Sequence, residues 1–152
     1  MKIPKKLPQF KERSGIIAVL GGVGGAIYLA KNGVVEKISE VEEPAPQYGD
    51  NEGFFVRSGK GSVYGRGSVL EDTKNEMEKR FAKKAALEID VVFSKNKDGE
   101  IYLLADKRVL SDVPKSLKSS TKKHLTLTEP GNYTKTGILK ILEKLQKSMK
   151  KA

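Results

Sequence analysis

The chain changes its hydrophobic rhythm several times, and each rhythm predicts a different element. From Gly15 the run IIAVL is continuously apolar, GGVGG interrupts it, and AIYLA follows, so two buried strands joined by a glycine turn are predicted. Lys31-Asn32-Gly33 then supplies an Asn-Gly hairpin turn into a third strand, VVEKIS. These strands are expected at residues 16–20, 26–30 and 34–38, as an antiparallel meander. In the third, Val35 and Ile38 do not fall on one alternating face, which leaves its register open. The acidic, proline-bearing stretch VEEPAPQYGDNEG reads as an exposed loop closing the meander.

Helical spacing takes over further along. Met77, Phe81, Ala85, Ile89 and Val92 recur at intervals of four and three, one apolar stripe suited to packing on a sheet. Thr73-x-x-Glu76 has the form of a capping box, which places the helix start near Asp72 or Thr73. Lys79, Arg80, Lys83 and Lys84 lie on the other faces. After the Asp98-Gly99 turn, IYLLA suits a central strand covered on both sides. Ser111 or Asp112 is expected to cap a short helix with Pro114 in its first turn, and HLTLT reads as a strand alternating through Leu125 and Leu127. Ile138, Leu142, Leu145 and Met149 stripe a basic C-terminal helix. A three-strand meander followed by helix, strand, helix, strand, helix predicts an α/β domain with a mixed sheet over residues 15–149, preceded by a basic arm over 1–14.

Composition narrows the chemistry. The 152 residues suit one domain; the absence of cysteine removes disulfides, zinc-thiolate sites and thiol catalysis, and one histidine leaves little material for a triad or a multi-histidine metal site. Net charge is +10 and unevenly spread: residues 1–14 carry +4, residues 36–52 carry −5 and residues 115–152 carry +8. A chain basic at both ends with an acidic middle suggests oriented docking on a polyanion, nucleic acid first, although lysine-rich helix faces are often simply solvated.

Residues 15–30, GIIAVLGGVGGAIYLA, are uncharged and follow a basic stretch, as an anchor or a signal peptide would. The run has 16 residues with glycines at its centre, short of the roughly 20 that a spanning helix needs, and no small-residue cleavage site follows it. Buried strands are therefore expected, with no membrane partner and a cytoplasmic location; a membrane anchor is the alternative.

The segment RSGKGSVYGRGSVL, residues 57–70, is the candidate binding site. Four glycines and three basic side chains occur there without an acid. Read as a loop ahead of the long helix, it would let Gly59, Gly61 and Gly67 bring the backbone close to phosphate while Arg57, Lys60 and Arg66 supply charge and Tyr64 stacks on a base. A plain glycine-rich surface connection is the competing reading.

In the order of these elements, GIIAVLGGVGGAIYLAKNGVVEKISEVEEP resembles the opening meander of the central domain of archaeal and eukaryotic class-one release factors and of Pelota. KRFAKKAALEI is similar to the continuing long helix, and IYLLADKRVLSDVPKSL with HLTLTEPGNYTKTGILKIL to the second half. That half also resembles bacterial relatives of these factors, including a family labelled as required for attachment to host cells. The resemblance spans roughly residues 15–145 and implies a ribonuclease H-like fold. It departs at one decisive place. Release factors carry Gly-Gly-Gln before the long helix, where this chain reads SGKGSVYGRGS, and neither Gly21-Gly22 nor Gly24-Gly25 precedes a glutamine. Peptide release is therefore not expected, and Pelota, which also lacks the motif, is the better analogue.

A nuclease on the same fold would need several carboxylates converging on two metal ions, one usually on the first strand, and IIAVL has none. Asp106, with Asp72 and Glu76, is the best-placed acid, but beside Lys107 and Arg108 it reads as a turn residue or ion-pair partner. The P-loop pattern fails around Gly59-Lys60, because Phe54 stands where the first glycine is required. His124 has no evident orienting acid and reads as structural. The expectation is a non-catalytic RNA- or ribosome-binding protein without cofactor or metal. The rival is an interaction or host-attachment protein whose charges serve solubility, and an enzyme ranks third.

Overall fold

A computed structural model describes residues 1–22, 24–42 and 59–151, with side chains over 1–22, 24–42 and 75–149. Its order is β1 (Gly15–Leu20), β2 (Gly24–Lys31), β3 (Val34–Glu42), α1 (Gly59–Lys95), β4 (Glu100–Ala105), α2 (Lys107–Ser116), α3 (Ser119–Lys122), β5 (Leu125–Pro130) and α4 (Ile138–Lys151). The five strands form one mixed sheet in the order β3-β2-β1-β4-β5. β1–β2 and β2–β3 are antiparallel, whereas β1–β4 and β4–β5 are parallel. This is the expected ribonuclease H-like arrangement, and the run at 15–30 is two strands of it. Among the described residues no helix is long and apolar enough to cross a membrane.

The apolar runs of β1 and β4 end up in the middle because both their faces are covered. One face carries Ile16, Ala18, Leu20, Ile101, Leu103 and Ala105, packed with Phe81, Ala85 and Ile89 of α1 and with Val109 and Val113 of α2. The opposite face carries Ile17, Val19, Tyr102 and Leu104, packed with Ile141, Leu142 and Leu145 of α4 and with Ile3 and Leu7 of the N-terminal stretch. The predicted stripe of α1 is buried from Met77 to Val92.

The two edge strands break the alternation, each through one irregularity. In β3 the register passes from Lys37 opposite Tyr28 to Ser39 opposite Ile27, so Ile38 is the extra residue. Val35 and Val41, six positions apart, consequently face opposite cores. Ile38 is left 39% exposed, which resolves the ambiguous register. In β5 the pairing jumps from Ile101–Leu125 to Tyr102–Leu127, leaving Thr126 out. Leu125 therefore packs towards α1 and Leu127 towards α4, so the shared face expected for these two leucines is corrected.

Two helix starts also differ from expectation. α1 is already helical at Gly59, so Thr73 and Glu76 lie inside it rather than forming a cap, and the segment expected as a loop is helical from Gly59 onwards. Once the packed turns around Met77 and Phe81 exist, each added residue gains a hydrogen bond without a new nucleus, and glycine raises the cost by only about 1 kcal/mol. α2 starts at Lys107 with Asp106 as its N-cap residue, upstream of Ser111, and Leu110 N–H donates to the Asp106 carbonyl at 2.7 Å. Fully burying Val109 and Val113 requires that earlier start. Pro114 accordingly falls in the last turn rather than the first, where its missing N–H removes the helical bond to the Leu110 carbonyl shortly before the helix ends at Ser116.

Candidate nucleic-acid interface

Residues 1–14 carry apolar side chains at Ile3, Leu7 and Phe10 between their lysines. Ile3 and Leu7 are each 5% exposed, and this burial lays the stretch on the α4 side of the sheet. Met1 and Ile3 hydrogen-bond to the start of β3: Val35 N–H donates to the Met1 carbonyl at 2.8 Å and Ile3 N–H to the Gly33 carbonyl at 2.7 Å. The Gln9 side-chain amide donates to the carbonyls of Pro4 (2.7 Å) and Leu7 (2.9 Å), folding the stretch on itself. Phe10 sits edge-on to Tyr102, with ring centroids 5.9 Å apart. Gly15 is required beneath that ring, since a Cβ there would lie 2.5 Å from a Phe10 ring carbon.

α4 lies on the same side. Its apolar stripe is buried at Ile141, Leu142 and Leu145, and the Gln146 side-chain amide donates to the Lys6 carbonyl at 2.7 Å. Two basic segments from opposite ends of the chain therefore meet. Residues 1–14 contribute +4 and residues 138–151 another +4, together +8 of the net +10. Lys5, Lys6, Lys11, Arg13, Lys140 and Lys147 are exposed there. Acids temper the face only partly: Arg13 pairs with Glu100 at 3.5 Å and Lys144 with Glu129 at 3.3 Å. The Tyr102 hydroxyl donates to Glu100 at 2.7 Å, and burial, reinforced by that carboxylate, holds its phenol well above the usual tyrosine range. At the other sheet edge the exposed Lys37–Glu40 pair, 2.7 Å apart, raises the Lys37 pKa and lowers that of Glu40, chiefly through their hydrogen bond.

A family profile described as "Protein required for attachment to host cells" matches residues 30–145. The chain belongs to this family. No match is found among the curated proteins. Among solved structures, the crystal structure of an archaeal translation termination factor, aRF1, is similar at 12% identity and a TM-score of 0.47, over 91% of this chain and 39% of that one. The chain thus spans well under half the length of that factor.

Within this host-attachment family member, the residues singled out from sequence lie on several elements. Arg57 lies outside the described residues; Gly59, Lys60, Gly61, Tyr64, Arg66 and Gly67 are on the first turns of α1, and their side chains lie outside those described. The C-terminal lysines separate into two groups, because Lys115, Lys118, Lys122 and Lys123 belong to α2, α3 and the turns beside them, away from α4. Asp106 makes no side-chain cap bond, Glu76 is exposed, and among the described residues no group of three acids or histidines could hold a metal. His124 Nδ1 donates to the Gly99 carbonyl at 3.0 Å, and its ring lies 4.7 Å from that of Phe93. The docking of residues 1–14 was missed by sequence reasoning; the recurrence of Ile3, Leu7 and Phe10 was its available signal.

Proposed function

We propose that this host-attachment family member is a non-catalytic RNA- or ribosome-binding protein whose basic face, built from residues 1–14 and α4, docks on phosphate. The observation that carries this reading is the bond between Gln146 and Lys6, which joins two basic segments distant in sequence into one surface. Clustered exposed lysines on one face are the electrostatic footprint of backbone binding, which needs no base-specific contacts. Arg57, Lys60 and Arg66 add charge at the start of the long helix. The absence of Gly-Gly-Gln and of an acid on β1 favours binding without peptide release or metal-dependent cleavage. A cytoplasmic setting belongs to the same reading.

The family's description supports a second reading, in which the same face serves an attachment interaction without nucleic acid. Co-sedimentation with ribosomes and RNA filter binding at graded salt separate the two. RNA binding through this face requires log-log salt slopes of about −0.7 to −0.9 per phosphate contacted. Absence of binding at low salt favours the attachment reading.

A further inference from the structure

On the opposite side of the sheet from the basic face, the end of α1, the turn before β4, α3 and the entrance to β5 line a half-open cavity of about 340 Å³. Its composition is graded. Lys97, Lys118, Ser94 and Ser120 are exposed at the rim, while Asp90, Phe93 and Thr121 are buried and His124 is half-buried. Asp90 is only 7% exposed, and Oδ1 accepts a long 3.3 Å bond from the Lys118 amide. A buried carboxylate with so little donation retains capacity for further donors. The His124 Nδ1–H is taken by the Gly99 carbonyl, so the ring nitrogen left for a ligand is Nε2. Ser94 already donates to the Val91 carbonyl at 2.6 Å, so towards a ligand its oxygen can only accept.

Two ammonium groups at the mouth and a carboxylate below call for a ligand that is anionic at one end and carries hydrogen-bond donors at the other. The volume lies within the usual range for small-molecule pockets. We infer that this cavity binds a sugar phosphate, free or as the ribose 5-phosphate unit of a nucleotide, with phosphate between Lys97 and Lys118 and sugar hydroxyls towards Asp90. An inorganic anion would use only the rim. A nucleoside without phosphate would use only the interior.

Calorimetric titration of the full chain with ribose 5-phosphate, adenosine 5′-monophosphate, adenosine and inorganic phosphate tests this inference. Saturable binding of either phosphate ester, at least tenfold tighter than both adenosine and phosphate, is expected. Ribose 5-phosphate binding as well as the nucleotide would identify a sugar-phosphate site, and a nucleotide preference would show that the base contributes. Lys97→Ala with Lys118→Ala, both at exposed positions, should weaken the ester at least tenfold. Asp90→Asn should weaken the ester but leave inorganic phosphate unchanged, with circular dichroism verifying the fold. Equal affinity for phosphate and its esters, no binding of any probe, or binding indifferent to the double lysine variant would each overturn the inference. Because these residues lie away from residues 1–14 and α4, RNA affinity is scored separately.

Discussion

The side-chain amide of Gln146 reaches the backbone carbonyl of Lys6 at 2.7 Å, across 140 positions of sequence. That bond and the shared core beneath it turn two separately basic termini into one surface.

Charge removal should therefore act from either end. Replacing Lys5, Lys6 and Lys11 by alanine, or separately Lys140 and Lys147, is expected to flatten the salt dependence of RNA binding by about 0.7 to 0.9 in log-log slope for each phosphate no longer neutralised. Filter binding across a salt series measures this. A third variant at Arg57, Lys60 and Arg66 reports whether the start of α1 also engages the RNA. If all three keep the parent slope and affinity while folded, RNA uses neither the basic face nor the start of α1.

The N-terminal stretch is held by a steric fit that one methyl group should disturb. In Gly15→Ala the new Cβ would meet the Phe10 ring at 2.5 Å, forcing the ring off Tyr102 and loosening residues 1–14. Trypsin cleavage after Lys11 and Arg13 should quicken, about tenfold for each 1.4 kcal/mol by which docking weakens. RNA affinity should fall with it, although no charge has changed. Cleavage at the parent rate would show that this stretch is not held through Phe10.

Tyr102 predicts an alkaline limb of stability. Its folded phenol is held above the usual range, whereas an unfolded tyrosine ionises near about pH 10, so its contribution is complete below that pH and is lost as pH rises through the folded value. Denaturant unfolding of Tyr102→Phe should show about 1 to 2 kcal/mol lower stability near neutrality, from removal of the bond to Glu100, and a shallower decline above about pH 10. An unchanged alkaline slope would assign that decline to other groups.

The early start of α1 can be tested through its glycines. Gly65→Ala and Gly67→Ala lie at helical positions, so each should stabilise the helix by about 1 kcal/mol and strengthen the helical circular dichroism signal. If these positions instead needed positive φ, alanine would destabilise them.

Local patterns determined the elements of this protein where one physical preference dominated. Continuous apolar runs marked β1 and β4, because only strands covered on both faces hide so much hydrocarbon, and the stripe from Met77 to Val92 marked the packed part of α1. The Asn32-Gly33 turn was legible because Asn32 and Gly33 both adopt the positive φ that such a turn demands. Tertiary structure decided what depends on partners distant in the chain. The extra residues Ile38 and Thr126 reverse the alternation of β3 and β5, since each edge strand must feed two cores. Asp106 rather than Ser111 opens α2 because of where Val109 and Val113 must pack, and α1 continues back to Gly59 against the local preference of its glycines for a loop. The charge totals at the two termini were visible in the sequence. That they form one face was not, because their adjacency rests on Ile3 and Leu7 sharing a core with Ile141, Leu142 and Leu145, a meeting of distant segments that no local rule encodes.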